Sequence, residues 1–163
     1  MSARLRLCLD QIRRVREYTL HILDSVPEAD WFRMPAEGVT HIAWQVGHLA
    51  MAEYRLGLVR IRSPKPEDEQ LVSADFLKQF GADSVPEPDP AKNPSPAELR
   101  DTLDRVHRQA LEELPTLSDA DLDQPPLIPH PLFTTKLGAL LWLSQHEMLH
   151  AGQIGLLGHR PLW

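Results

Sequence analysis

The longest apolar run of the sequence, residues 137–158, contains several polar side chains near its middle. The run is long enough to cross a bilayer, but His146, Glu147, His150 and Gln153 would each be costly in lipid. A helix buried against protein accommodates them better, because protein partners can satisfy their polar groups. We therefore expect a core helix and no membrane association.

Composition and charge narrow the class of protein further. The chain has 163 residues, 42% of them hydrophobic, which is enough for one domain over residues 1–163. Its 17 basic and 23 acidic residues give a net charge of -6, so the positive field that nucleic-acid binding needs is missing. The single cysteine, Cys8, excludes an internal disulfide, and no export signal is visible near the N-terminus. We expect a cytoplasmic protein that binds no nucleic acid.

Apolar residues spaced by three and four predict four long helices, over residues 5–22, 41–59, 96–114 and 135–157. Thr40 is a suitable N-cap for the second helix, and the sequence "SPAE" is a capping box that starts the third. Seven prolines in residues 60–96 exclude regular structure there, except a short amphipathic piece near residues 74–80. No segment alternates with a period of two, so we predict an all-α four-helix bundle with a long crossover between helices two and three.

His146 and His150 lie one turn apart and about 40° from each other around the predicted fourth helix. Each imidazole needs a polar partner in an otherwise apolar wall, and one divalent metal ion would satisfy both. "HEMLH" also fits the HExxH pattern of zinc hydrolases, in which the glutamate is the general base. Such sites take a third ligand downstream, but no acid follows Glu147 in this sequence, and Glu147 lies about 100° from the ligand line, as a surface or edge carboxylate would.

We therefore expect the third ligand upstream, and His48 in "THIAWQVGHLAMAEYR" is the candidate. Trp44 and Arg55 share its helix face, so we expect Trp44 to line a cofactor pocket and Arg55 to orient an anionic group. We expect three further histidines at the surface, because their surroundings are charged or rich in proline: His21, His107 and His130.

The segments "WQVGHLAMAE" and "HEMLHAGQI" resemble the DinB-like metal-binding four-helix bundles, a superfamily that includes S-transferases dependent on bacillithiol, mycothiol or glutathione. The resemblance covers essentially the whole chain and implies an up-up-down-down bundle. Carried over to this sequence, the family's metal triad falls on His48, His146 and His150. Three neutral imidazoles leave a metal ion such as Zn²⁺ or Ni²⁺ with an open position.

Three functions are compatible with this site. The first is a metal-dependent transferase that uses a low-molecular-weight thiol on small electrophiles, with Arg55 orienting an anionic group and Gln153 hydrogen-bonding a ligand histidine. The second is a hydrolase with metal-activated water and Glu147 or Glu53 as the base. The third is a binder of metal or ligand without catalysis. We also expect a homodimer that uses the outer faces of the bundle.

Overall fold

Four long α-helices and three short ones form the fold of the described residues. The computed structural model describes residues 1–35 and 39–158. Those residues contain no β-strand, and their one isolated bridge pairs His130 with Phe133. The predicted all-α class is confirmed, and none of these helices combines the length and apolarity of a membrane span. The helices in chain order are α1 (Ala3–Asp24), α2 (Ile42–Glu53), α3 (Asp68–Leu71), α4 (Ala74–Gln79), α5 (Pro96–Glu113), α6 (Asp119–Asp123) and α7 (Lys136–Leu157).

The long crossover between α2 and α5 is confirmed, but it is more regular than its prolines suggest. Helix α4 is the predicted amphipathic piece, while α3 and a 3-10 turn at Pro90–Lys92 were not predicted. Helix α3 forms because Asp68 accepts hydrogen bonds from the Lys65 backbone and from Arg62, which fixes the start of a proline-free stretch. The up-up-down-down order of directions stays a prediction.

The starts of the long helices follow from their capping residues. Ser95 and Glu98 form the predicted capping box of α5. The N-cap of α2 is His41 and not Thr40: its Nδ1 atom accepts the Trp44 backbone N–H at 3.1 Å. The other ring nitrogen of His41 donates to the Glu87 carbonyl at 2.9 Å, so this cap also ties the crossover to the start of α2.

The core combines the apolar faces of all four long helices. Helix α1 packs along α7, and α2 packs along α5. The apolar residues whose spacing predicts the first three long helices are buried, among them Leu5, Ile12, Val46 and Leu103. Helix α2 is buried on nearly every side, since only Trp44 among its residues is half-exposed. The connectors add two large side chains to this core, Trp31 and Phe80, neither of which has exposed surface.

Arg16 joins the four long helices at one buried point. From α1 it forms a bidentate ion pair with Glu147 on α7, at 2.7 and 3.0 Å. It also reaches Glu53 on α2 at 2.7 Å and donates to the Leu103 carbonyl on α5 at 3.1 Å. His107 completes the group by contacting Glu53 at 2.8 Å through its Nδ1 atom.

This cluster corrects two expectations from the sequence. Glu147 is not a surface or edge carboxylate but is 2% exposed, and His107 is 9% exposed rather than solvated. A buried charge is tolerated when partners satisfy it, and Arg16 supplies that partner for Glu147. Burial alone would raise the pKa of the Glu53 carboxyl, but the charge of Arg16 and the contact with His107 hold this pKa below its ordinary value.

Helix α2 continues into a single π-helical turn, Tyr54–Val59. In this turn the Arg60 backbone N–H donates to the Arg55 carbonyl five residues earlier, at 3.1 Å. π turns are rare in proteins as a whole, but those that occur as single turns in longer helices are often found at functional sites.

Candidate metal centre

The three predicted metal ligands lie together at the contact between α2 and α7. The Nε2 atom of His146 lies 3.4 Å from Nε2 of His48 and 3.2 Å from Nε2 of His150. The three candidate ligand atoms all lie within 4.8 Å of one another. The expectation that His48 meets the pair from the last helix is therefore confirmed.

These distances fit a divalent metal ion. Zinc binds imidazole nitrogen at about 2.0–2.1 Å, so two nitrogens of a tetrahedral site lie about 3.4 Å apart. The two Nε2 separations in this structure, 3.4 and 3.2 Å, are close to that value. A neutral imidazole offers one lone pair, and three such lone pairs facing each other are all satisfied when a cation lies between them.

Hydrogen bonds on the far side of two rings decide which nitrogen faces the cluster. The Nδ1 atom of His48 donates to the Phe80 carbonyl at 2.9 Å, and Nδ1 of His150 donates to the side-chain oxygen of Gln45. Both acceptors are oxygen atoms, so Nδ1 holds the proton and Nε2 keeps its lone pair. Nδ1 of His146 is buried and has no hydrogen-bond partner in residues 1–35 and 39–158.

The surroundings keep the three imidazoles neutral. Burial, with the nearby rings of His48 and His130, lowers the pKa of His146 to about 4. Burial and the two other rings of the triad lower the pKa of His150 to about 3, although a hydrogen bond to Gln153 opposes this. Burial also lowers the pKa of His48. Metal binding needs unprotonated imidazoles, and at neutral pH this site already provides them.

Trp44 and the Phe80 carbonyl hold the His48 ring in its orientation. Trp44 stacks on it with ring centroids 4.6 Å apart and planes 16° apart. The close approach of α2 to Phe80 depends on Gly47, because a Cβ atom there would lie 2.4 Å from the Phe80 ring. Only glycine lets Phe80 come near enough for its carbonyl to accept the His48 proton.

A pocket of about 420 Å³ opens beside the triad, with His48 and His146 in its wall. Arg55, a predicted site residue, lines it, as does Arg60. Trp44 is not among the residues that line it, so its cofactor-binding role stays a prediction. The apolar part of the wall comes from Met51, Leu56, Leu132 and Trp142, among others.

The two remaining predicted residues lie outside the pocket wall. Gln153 is exposed on α7, and its influence raises the pKa of His150, but its role in supporting a ligand histidine stays a prediction. Glu147 points to Arg16, and its catalytic role stays a prediction.

Comparison with known families agrees with this site. The family model of the DinB superfamily matches residues 11–154, a range that contains all three histidines. The chain belongs to the DinB superfamily. No curated protein matched the sequence.

In this DinB protein, sequence reasoning missed the groups that orient the ligands. Gln45, which accepts the His150 ring proton, lies three residues before His48 in the quoted motif. The Phe80 carbonyl, which accepts the His48 ring proton, comes from the crossover, where no sequence pattern marks it. A polar residue on a helix that is otherwise apolar, such as Gln45, was the one available signal.

Proposed function

We propose that this DinB protein binds a divalent cation, Zn²⁺ or Ni²⁺, at His48, His146 and His150, and transfers a low-molecular-weight thiol to small electrophiles. One observation supports this most strongly. Three Nε2 atoms converge beside an open pocket. Hydrogen bonds from Nδ1 to protein oxygen atoms fix the tautomer of two of these rings, His48 and His150. A site with three histidines and an open side is typical of catalytic rather than structural metal centres.

A bound cation would supply a position at which a thiol loses its proton at neutral pH. The protein's own residues supply the rest. Met51, Leu132 and Trp142 give the pocket an apolar wall against which a small electrophile can lie. Arg55 lies at the same pocket, exposed enough to meet an incoming anionic group.

The hydrolase alternative has less support. Its base would be Glu147 or Glu53, but Arg16 pairs with both of these buried carboxylates. Neither lines the pocket beside the triad. A general base must lie within hydrogen-bond reach of the water that it deprotonates, directly or through one further water.

The metal site is tested by elemental mass spectrometry of the purified protein. We expect close to one equivalent of bound metal in the parent and a large loss in His48→Ala. The matched control is His21→Ala, because His21 is exposed on α1, away from the cluster. Equal metal content in His48→Ala and the parent would refute the triad.

Transferase activity is tested with chlorodinitrobenzene and a panel of thiols that includes glutathione. In this reaction sulfur forms a bond to the ring carbon, chloride leaves, and the thiol proton passes to water. We expect metal-dependent product formation with the parent and none above background with His48→Ala. Ester or amide hydrolysis without thiol would favour the hydrolase instead, and no turnover of either kind would favour a binder.

The homodimer is part of the same proposal. Large apolar side chains are exposed on the outer faces of α1 and α7, which pack together: Leu7, Met148, Leu149 and Leu156. Sedimentation of the parent and of Leu149→Glu tests it, since a charge in the interface should favour the monomer.

A further inference from the structure

The pocket beside the triad is lined by two arginines that have no acidic partner. Arg55 and Arg60 form no ion pair within the described ranges of the chain, whereas Arg62 pairs with Asp68 and Glu113. The Nε atom of Arg60 is buried, and none of those residues hydrogen-bonds it. Because Nε has almost no accessible surface, an anion in the pocket would meet the terminal nitrogens of the two guanidinium groups, whose charge no carboxylate of the described residues balances.

The π turn of α2 brings these arginines to one side. In an α-helix, residues five apart point about 140° away from each other. In the π turn the hydrogen bond runs from Arg60 N–H to the Arg55 carbonyl, so these residues lie one above the other. The Nη1 atom of Arg60 lies 3.4 Å from the same carbonyl, and both side chains line the pocket.

The remaining wall of the pocket favours a ligand with an anionic end and an apolar body. No Asp or Glu lines it within the described part of the chain, although the protein has 23 acidic residues. Met51, Leu132 and Trp142 supply apolar surface, and His48 and His146 lie on the metal side. A monoanion such as a carboxylate matches a half-buried guanidinium better than a phosphate dianion, which loses more hydration on entering such a pocket.

We propose that Arg55 and Arg60 form a subsite for the carboxylate of an aromatic or branched aliphatic acid, with the body of the acid against the apolar wall. This deepens the proposed function and rests on it in one respect: the acid is then a substrate of the metal site. The carboxylate belongs either to the electrophile or to the thiol. Binding at the subsite itself requires no metal ion.

The test is ¹⁹F NMR of chelator-treated protein with 4-(trifluoromethyl)benzoate and with 4-(trifluoromethyl)benzamide, which is the neutral analogue. We expect the benzoate to bind about tenfold more tightly or better, because charge-assisted hydrogen bonds are lost with the amide. The double variant Arg55→Gln/Arg60→Gln should lose that preference. The corresponding lysine double variant should keep part of it, since it retains the charge without the planar fork.

The matched control is Arg6→Gln/Arg14→Gln, which removes the same charge from exposed positions on α1. It should keep the preference for benzoate. Equal affinity for the two probes, an unchanged preference in Arg55→Gln/Arg60→Gln, or an equal loss in the control would each overturn the subsite.

The metal content of each preparation separates this proposal from the previous one. If the protein binds metal but does not prefer the benzoate, the subsite alone is refuted. If it prefers the benzoate but binds no metal, only the metal-dependent transferase is refuted. The source of the carboxylate is found by displacing the benzoate probe with 3-mercaptopropionate or propionate. If zinc loading raises the affinity of the mercapto acid only, the carboxylate belongs to the thiol. If zinc loading raises the affinity of neither acid, the carboxylate belongs to the electrophile.

Discussion

Gly47→Ala tests whether the close packing of α2 on the crossover holds the metal site. The added Cβ atom would lie 2.4, 2.5 and 2.6 Å from three atoms of the Phe80 ring. Carbon atoms in contact lie about 3.5–4.0 Å apart, so the ring would have to move by about 1 Å. Phe80 has no exposed surface and also packs on Phe76, with ring centroids 4.5 Å apart, which leaves little room for that movement.

Two opposing terms set the size of the effect. Overpacking of a tight core costs about 1–3 kcal/mol, while alanine gains about 1 kcal/mol over glycine in a helix. Because the obstacle at Gly47 is a buried ring, we expect the upper part of the range and a net loss of about 1–2 kcal/mol. Displacing the Phe80 carbonyl also removes the acceptor of the His48 proton, and loss of such support typically weakens metal binding 10–100-fold.

Urea denaturation of the metal-free protein gives the stability change, and competition with a chelating dye gives the metal affinity. Gly152→Ala is the control, since Gly152 lies in α7 and a Cβ atom there meets nothing within 4 Å. It should stabilise the protein by about 0.5–1 kcal/mol and leave metal affinity unchanged. The double variant Gly47→Ala/Phe80→Leu should recover part of the lost stability. A Gly47→Ala protein as stable as the parent, with unchanged metal affinity, would refute the reasoning.

Three further predictions concern other parts of the fold. Arg16→Met leaves two buried carboxylates without their cation, and urea denaturation should show a loss of about 3–5 kcal/mol. Gln45→Ala removes the acceptor of the His150 ring proton, and dye competition should show metal affinity 10–100-fold lower. Burial alone would raise the pKa of Glu113, but hydrogen bonds from Arg62 and two other side chains lower it to about 2 from 4.5, so its contribution to stability is complete above pH 4.5 and is lost as the pH falls toward 2. Denaturation at a series of pH values should show this loss, about 1–2 kcal/mol because solvent screens a half-buried carboxylate, and Glu113→Gln should lack it.

Each of these has its own control. For Arg16→Met it is Arg108→Met, which breaks only an exposed pair with Asp104 and should cost less than about 1 kcal/mol. For Gln45→Ala it is the stability of the metal-free protein, which should change much less than the metal affinity. For Glu113 it is Glu112→Gln, which removes the adjacent, exposed carboxylate of α5. If Glu113→Gln kept the full pH dependence of the parent, the Arg62 cluster would not be its source.

Much of this protein follows from patterns within one helical turn. The spacing of apolar residues and the capping box at Ser95 define the helices because both depend on neighbours three or four positions away. The same local rule placed His146 and His150 on one face and suggested that His48 faced them. Thr40 failed as a cap because neighbouring side chains compete for the same free backbone N–H groups at the start of a helix. His41 accepts the Trp44 N–H instead, and its second hydrogen bond, to the Glu87 carbonyl in the crossover, holds the ring in place for this.

Helix packing alone decided the remaining features. The convergence of three Nε2 atoms, the use of the Phe80 carbonyl as an acceptor, and the burial of Arg16 among four helices all join residues distant in sequence. The π turn that brings Arg55 and Arg60 to one pocket likewise has no local signature in the sequence. Distances between helices depend on how whole faces interlock, so patterns within a single helix specify which residues face inward but not which of them meet.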